Sequence, residues 1–260
     1  MKQLLKYPGG KYYLRKYLVK YIGKHEGYCE PLCGSASLFF YKEKCQYNIL
    51  NDIDEDLINT YKIIRDKPEQ LLQVLDSFKP ICKESHHYYK NVYKPLNEIE
   101  SASLYFYMNR CSYNGIMKSI NQYFGYNDKY SMKRENWHRN IMRCSEQLHG
   151  VDLYSHDVCS IIDKIPDNFI VYVDPPYFDS SQDGLYKYSF KYEDHLRLCE
   201  CIHRNNDRLQ FIISYDDCEE IIKLYSFMKC IDKYDIYYFS KRTDYSNSKR
   251  ETQTELIIHN

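Results

Sequence analysis

The chain has 260 residues, with 36 Lys and Arg against 36 Asp and Glu, so its formal net charge is zero. That balance excludes a histone-like or polybasic protein while leaving room for a local basic face. A hydrophobic fraction of 43% and a charged fraction of 28% supply a core and exclude a disordered chain. The length suits one large domain, or one domain carrying an insertion.

The first marked segment is Tyr7-Pro8-Gly9-Gly10-Lys11, which by itself is a common loop. Tyr28–Leu32 reads as a short strand running into the small-residue turn Cys33-Gly34-Ser35-Ala36-Ser37. The apolar run Leu38–Tyr41 should then open a helix. Tyr47–Leu50 is a second strand, ending at Asn51-Asp52. Asp54–Arg65 has helical spacing with acids in its first turn, and Pro68 opens another helix reaching Phe78.

From Lys79 to Arg143 strand alternation disappears. This stretch predicts a helical insertion with an irregular segment, Asn114–Asn136. Alternation then returns. Val151–Tyr154, Phe169–Val173 and Leu209–Ser214 read as strands, with helices over Glu193–Asn205 and Asp217–Tyr225. Two closing strands, Tyr234–Phe239 and Glu255–His259, flank a charged loop. Strands separated by helices imply an α/β fold with a largely parallel sheet, and the closing pair suits an antiparallel hairpin at its edge.

The 11 cysteines have no zinc-site spacing and no CxxC, so they are expected to be reduced packing residues, with no metal site. The start of the chain lacks a signal-peptide apolar region, and no stretch has the roughly 18 apolar residues of a membrane span. A cytoplasmic protein with no membrane partner is the expectation. The 30 tyrosines read as surface packing and composition bias before they read as base-stacking rings.

Three motifs carry chemistry. Glu30-Pro31-Leu32-Cys33-Gly34-Ser35-Ala36-Ser37 puts small residues at the end of a strand, where a ligand can approach backbone. It is neither GxGxxG nor a Walker A loop. Asp52 lies 18 residues beyond Gly34 at the end of the next strand, the place from which an acid holds ribose hydroxyls in nucleoside-binding α/β folds; capping of the following helix is the alternative. Asp174-Pro175-Pro176-Tyr177 directly follows a buried strand and is the most specific signal. The acid and the Pro175 carbonyl form two acceptors suited to an exocyclic amino group. Tyr177 offers a ring on which a flipped base can stack.

In this order the motifs resemble the Dam-like DNA adenine-N6 methyltransferases, the alpha group with an Asp-Pro-Pro-Tyr loop. The likeness extends to Asn109-Arg110 with Tyr113-Asn114-Gly115, to Asp194-His195, to Ser214-Tyr215-Asp216 and to the closing Glu255–Asn260 segment. It covers nearly the whole chain. The resemblance implies a Rossmann-like methyltransferase fold, with S-adenosylmethionine as methyl donor and double-stranded DNA as substrate. It implies a catalytic domain of residues 1–65 and 146–260 and a target-recognition insertion of residues 66–145.

Carried over residue by residue, Tyr7, Lys11, Pro31, Gly34, Ser35, Asp52, Asp157 and Asp174 would bind the cofactor. Asp174, Pro175, Pro176 and Tyr177 would form the catalytic loop. Arg110, Asn114, Gly115, Lys118, Asn121, Lys129, Lys133, Arg134, Lys241 and Arg242 would meet DNA. Residues 110–143 hold seven basic residues against Asp128 and Glu135, as a phosphate-contacting surface requires. Lys118 stands where the family's pattern has Arg. A lysine lacks the fork that reads guanine, so a GATC site is not carried over.

Cytosine C5 methylation needs a Pro-Cys nucleophile, and none is present. Amino-group methyltransferases of RNA or protein glutamine share the (Asp/Asn)-Pro-Pro-Tyr loop but lack the N-terminal Gly-Gly-Lys and the long insertion. A DNA-binding module without turnover is the non-enzymatic alternative, and the intact Asp174–Tyr177 loop argues against it. A monomer acting on one adenine per event is expected, with a companion restriction endonuclease as a possible partner.

Overall fold

The structure is a computed structural model and describes residues 4–125, 132–177, 186–188, 190–237 and 252–260. Seven strands form one sheet in the order β3-β2-β1-β4-β5-β7-β6. They are β1 (Gly27–Glu30), β2 (Tyr47–Asn51), β3 (Val151–Tyr154), β4 (Phe169–Val173), β5 (Gln210–Asp216), β6 (Cys230–Tyr237) and β7 (Thr252–His259). The first five are parallel, and β7 runs antiparallel between β5 and β6. Every residue of central β4 is buried, as expected for a parallel strand covered on both faces. This is the Rossmann-like α/β architecture expected from the sequence, with the closing hairpin at one edge.

Period-two alternation divides the core. Ile170, Tyr172, Ile212 and Ile257 face one apolar layer; Val171, Val173, Phe211, Ile213, Leu256 and Ile258 face the other. The first layer is covered by α1 (Arg15–Leu18), α2 (Glu55–Asp66), α3 (Pro68–Ser77), α4 (Lys83–Asn91), α5 (Glu98–Cys111) and α6 (Trp137–Leu148). The second is covered by α7 (Val158–Ile162), α8 (Tyr192–Asn205) and α9 (Glu219–Leu224).

Local chemistry fixes the helix starts. Asp54 caps α2 by accepting the Asp56 N–H at 3.2 Å, and Asn97 caps α5 through the Glu100 N–H at 3.0 Å. Helix α5 is buried nearly all round, from Ala102 to Cys111 with Leu104 half-buried. A helix packed on all sides has no apolar stripe, so α5 shows no helical periodicity, whereas α6 buries Trp137, Asn140, Ile141, Cys144 and Leu148 along one face. The irregular segment contains short 3-10 turns at Tyr113–Gly115, Ser119–Asn121 and Arg134–Asn136, and one bridge pairs Ser112 with Phe124.

One expected helix is not formed. Leu38–Tyr41 makes only turns, with single i→i+4 bonds from Phe40 to Ala36 and from Lys42 to Leu38. Gly34 and Ala36 have φ of +45° and +47°, which no right-handed helix admits. The Glu30 carboxylate takes the Phe39 N–H at 2.7 Å, so the turn is pinned to the strand behind it.

Candidate active site

A cleft of about 280 Å³ opens at the carboxyl ends of β1, β2 and β4, where ligands bind in open parallel sheets. It brings together segments that are far apart in sequence: Tyr7–Lys11, Leu32–Ser37, Asp52 and Ile53, His156–Val158 and Asp174–Pro176. Tyr186, Tyr188 and Phe190 also line it.

Asp174 sits at its centre with 20% of its side chain exposed. Its Oδ1 receives the Lys11 ammonium at 2.7 Å and the Ser214 hydroxyl at 2.8 Å. Since the single Ser214 proton goes to Asp174, the Tyr172 hydroxyl, 2.9 Å from Ser214 Oγ, donates to Ser214 in turn. The Lys11 ammonium and the Ser214 hydroxyl thus converge on one carboxylate oxygen, Oδ1. Lys11 is 2% exposed, also donates to the Gly9 carbonyl at 2.8 Å, and lies 4.4 Å from the Tyr177 ring centroid. Pro175 and Tyr177 are buried and Pro176 is half-buried, with both prolines lining the cleft.

The glycine turn and Asp52 are one unit. Asp52 accepts the Gly34 N–H at 2.9 Å and the Asp54 N–H at 3.0 Å. The Gly34 carbonyl accepts the Tyr61 hydroxyl at 2.8 Å. A Cβ on Gly34 would stand 3.0 Å from the Tyr7 ring, so the N-terminal motif packs directly on the turn. Burial pushes the Asp52 carboxyl up to about 6 despite two N–H donors, and that of Glu30 up to about 7 despite the Tyr28 hydroxyl at 2.8 Å and the Phe39 N–H. Pro31 gives its carbonyl to Asn51 at 2.8 Å and so ties β1 to β2, and Ser35 lies in the cleft wall.

Asp157 reaches the cleft edge, but its carboxylate is engaged. It caps α7 through the Cys159 and Ser160 N–H groups and pairs with Arg197 at 2.8 Å. Arg197 holds its carboxyl below the usual range.

The residues expected at DNA divide into two groups. Asn114 is exposed, Lys118 and Asn121 are partly exposed, and the Lys133 side chain is 66% exposed. Arg110 corrects the expectation. It is buried, its Nη1 donates to the Leu4 carbonyl at 3.1 Å, and burial lowers its pKa to about 10. A guanidinium spent on the protein's own backbone is not available to a phosphate. Gly115 is likewise structural: at φ +70° a Cβ would stand 2.4 Å from Lys6 Cβ. Arg134 closes the end of α3, donating to the Leu75 carbonyl and to the Lys79 carbonyl at 3.2 Å. Lys129, Lys241 and Arg242 lie outside the described residues.

Several contacts were not foreseen. Asn109 accepts the Lys6 N–H at 2.8 Å and donates to the Lys6 carbonyl at 2.7 Å. With Arg110 it docks the segment that leads to Tyr7–Lys11. Lys187 pairs with Asp54 at 2.6 Å and Asp56 at 2.7 Å, holding the 186–188 segment beside the cleft. The Tyr177 hydroxyl donates to buried Glu255. One signal was available in the sequence: residues 1–24 hold seven basic residues and no acidic one, so the cationic surplus is not confined to 110–143.

All 11 cysteines are free. No group of three or more metal-type side chains occurs among the described residues, and no described helix is long and apolar enough to cross a membrane.

Residues 7–243 match the family model of the D12 class N6 adenine-specific DNA methyltransferases. The chain is 27% identical to the type II methyltransferase M1.LlaDCHI of Lactococcus lactis subsp. cremoris, over 100% of its length and 95% of that protein. It is 30% identical to the DNA adenine methylase of Escherichia coli K12 over 66% of this chain and 64% of that protein. It is 26% identical to the type II methyltransferase M.MjaIII of Methanocaldococcus jannaschii over 80% and 81%. The chain therefore belongs to the D12 class of N6 adenine-specific DNA methyltransferases, and its reaction places a methyl group on the N6 amino group of adenine in DNA.

Proposed function

We propose that the cleft binds S-adenosylmethionine beside a flipped adenine of duplex DNA, and that Asp174–Tyr177 holds the N6 amino group for direct attack on the methyl. The observation that carries this is Asp174 itself, which lines the cleft at the end of β4 with its Oδ1 held by Lys11 and Ser214.

The residues suit the cofactor. Glu30, Asp52, Asp157, Asp174 and Asp194 line the cleft against Lys11 and Arg197, an acidic surplus that matches a positive sulfonium. Ile53, 43% exposed, adjoins Asp52, and Val158 and Phe190 extend that apolar surface for a purine ring. When bound, the cofactor supplies a methyl group already activated on sulfur. The chain's own task is positioning. Asp52 accepts ribose hydroxyls; Tyr7, Lys11, Pro31, Gly34 and Ser35 shape the methionine end; Asp157 lies toward the adenine. Asp174 Oδ2 and the Pro175 carbonyl accept the two N6 hydrogens. This raises electron density on nitrogen and orients its lone pair. Tyr177 supplies the stacking surface.

Residues 66–145 form the target-recognition part in this reading, with Asn114, Lys118, Asn121 and Lys133 accessible for DNA contact. Lys129, Lys241 and Arg242 are further candidates. The enzyme acts as a monomer in the bacterial or phage-infected cytoplasm. The type II name of the Lactococcus relative supports a companion restriction endonuclease.

Cofactor binding provides the test, through pH. The Asp52 carboxyl titrates near 6, above the ordinary carboxylate value of about 4. Its protonated form favours the folded chain below about pH 4, and that contribution is lost as pH rises through 6. Ribose binding needs the ionised form and so has the opposite dependence. Titration calorimetry should show S-adenosylmethionine affinity falling up to about tenfold per pH unit below 6, with the chain still folded. Asp52→Asn should bind weakly at every pH and lose that limb. An unchanged affinity in Asp52→Asn would remove Asp52 from the cofactor site.

A further inference from the structure

We propose that Glu255 is a positioning residue for methyl transfer, acting through the hydroxyl of Tyr177 to fix the ring on which the target base stacks. This rests on the base-stacking reading of Tyr177 given above.

Glu255 is wholly buried on β7. Leu256, Ile257 and Ile258, which follow it on the strand, are fully buried and apolar. A buried carboxylate costs several kcal/mol unless its lone pairs are used. Its location explains why an acid stands here. The register sets Glu255 opposite Asp216 on β5, on the same face as Ser214 and Ile257. That face leads to the Asp174 end of β4, where Ser214 already holds the catalytic carboxylate at 2.8 Å. Glu255 Oε2 accepts the Tyr177 hydroxyl across 78 residues of chain.

The tyrosine is thereby held at two points. Glu255 grips the hydroxyl at the ring's edge, and the Lys11 ammonium stands 4.4 Å from its centroid, bound in turn to Asp174. Ring, cation and carboxylate are thus linked in one chain of contacts. A phenol free to swing about its side-chain torsions would let a stacked base drift, and displacements near 1 Å are costly in a direct displacement. Glu255 also adds, after burial and Asp174, to the upward push on the Tyr186 phenol in the cleft wall.

The test uses the full chain and four variants: Tyr177→Phe, Glu255→Leu, Glu255→Gln and the double Tyr177→Phe/Glu255→Leu. Tyr177→Phe keeps the ring and removes the hydroxyl that Glu255 grips. It should lower kcat by about tenfold, the size of one lost charge-assisted hydrogen bond, with KM for S-adenosylmethionine within about twofold of wild type. Glu255→Leu should do the same, and the double variant should be no worse than either single one, as expected for two ends of one contact. Glu255→Gln keeps an acceptor and should recover activity to within about threefold of wild type.

A folded Glu255→Leu with wild-type kcat, or losses that multiply in the double variant, would overturn the proposal. If Glu255→Leu does not fold, full kcat in Tyr177→Phe overturns it as well. Wild-type enzyme that methylates no DNA in the same assay would instead sink the underlying reading of the site.

Discussion

Asp174→Asn is expected to lower the single-turnover rate of adenine methylation by about a hundred- to a thousandfold, in the range of losing a group that stabilises developing charge. The substitution keeps the shape of the side chain. Its carbonyl oxygen can still receive Lys11 and Ser214, which now meet Asp174 Oδ1 at 2.7 and 2.8 Å. With that oxygen turned inward, the amide NH2 faces the base. Two donors, the amide and N6, then confront each other, and the acceptor that orients the attacking nitrogen is gone. Cofactor affinity should change only a few-fold, because Asp52 and the glycine turn are untouched. A variant retaining more than about a tenth of the rate would show that Asp174 does not hold N6.

Gly34→Val is expected to remove cofactor binding and to destabilise the fold by about 2–4 kcal/mol, the sum of a left-handed backbone and an overpacked contact. Gly34 has φ +45°, and a Cβ there would be 3.0 Å from the Tyr7 ring. Its N–H and carbonyl are both committed, to Asp52 and Tyr61, so the backbone cannot turn away to relieve the strain. Gly150 supplies the control. It too has positive φ, +69°, but nothing lies within 4 Å of an added Cβ. Gly150→Val should therefore cost only the backbone part, about 1–2 kcal/mol, and leave methylation intact. Thermal denaturation and calorimetric titration of both variants check this. Equal behaviour of the two would mean that Tyr7 does not close the turn.

Sequence and structure agree where the signal is local. The strands were legible because parallel strands read as short continuous apolar runs, as in Phe169–Val173. Asp-Pro-Pro-Tyr was legible because two prolines at a strand end are rare and have few uses. The missing helix at Leu38–Tyr41 was not, since its apolar run suits a buried turn as well as a helix, and Glu30 decides between them from the neighbouring strand. Arg110 was misread because a charge count treats every cation as exposed. The contacts of Glu255, Ser214 and Lys187 escaped for a related reason, although Ser214 and Glu255 lie in segments that carry the resemblance. Their partners lie 78, 40 and more than 130 residues away, and no spacing rule connects such residues before the sheet is assembled.

Formal neutrality hides two unlike parts. Acids outnumber cations in the cleft, where Glu30, Asp52, Asp157, Asp174 and Asp194 stand against Lys11 and Arg197, while residues 1–24 and 110–143 carry a cationic surplus from which Lys11, Arg110 and Arg134 are spent inside the protein. Overall charge therefore gives no guide to the substrate, whereas its distribution suits a duplex laid across a negatively lined pocket.

The most direct test of the central claim follows the methyl group. Purified protein is incubated with S-adenosylmethionine labelled on its methyl carbon and with duplex DNA of mixed sequence, and the DNA is then digested to nucleosides. The label should appear in N6-methyldeoxyadenosine with wild-type enzyme and fall to near background with Asp174→Asn. Label absent from DNA but present in RNA or protein added in parallel, or label in DNA that survives Asp174→Asn unchanged, would contradict the account.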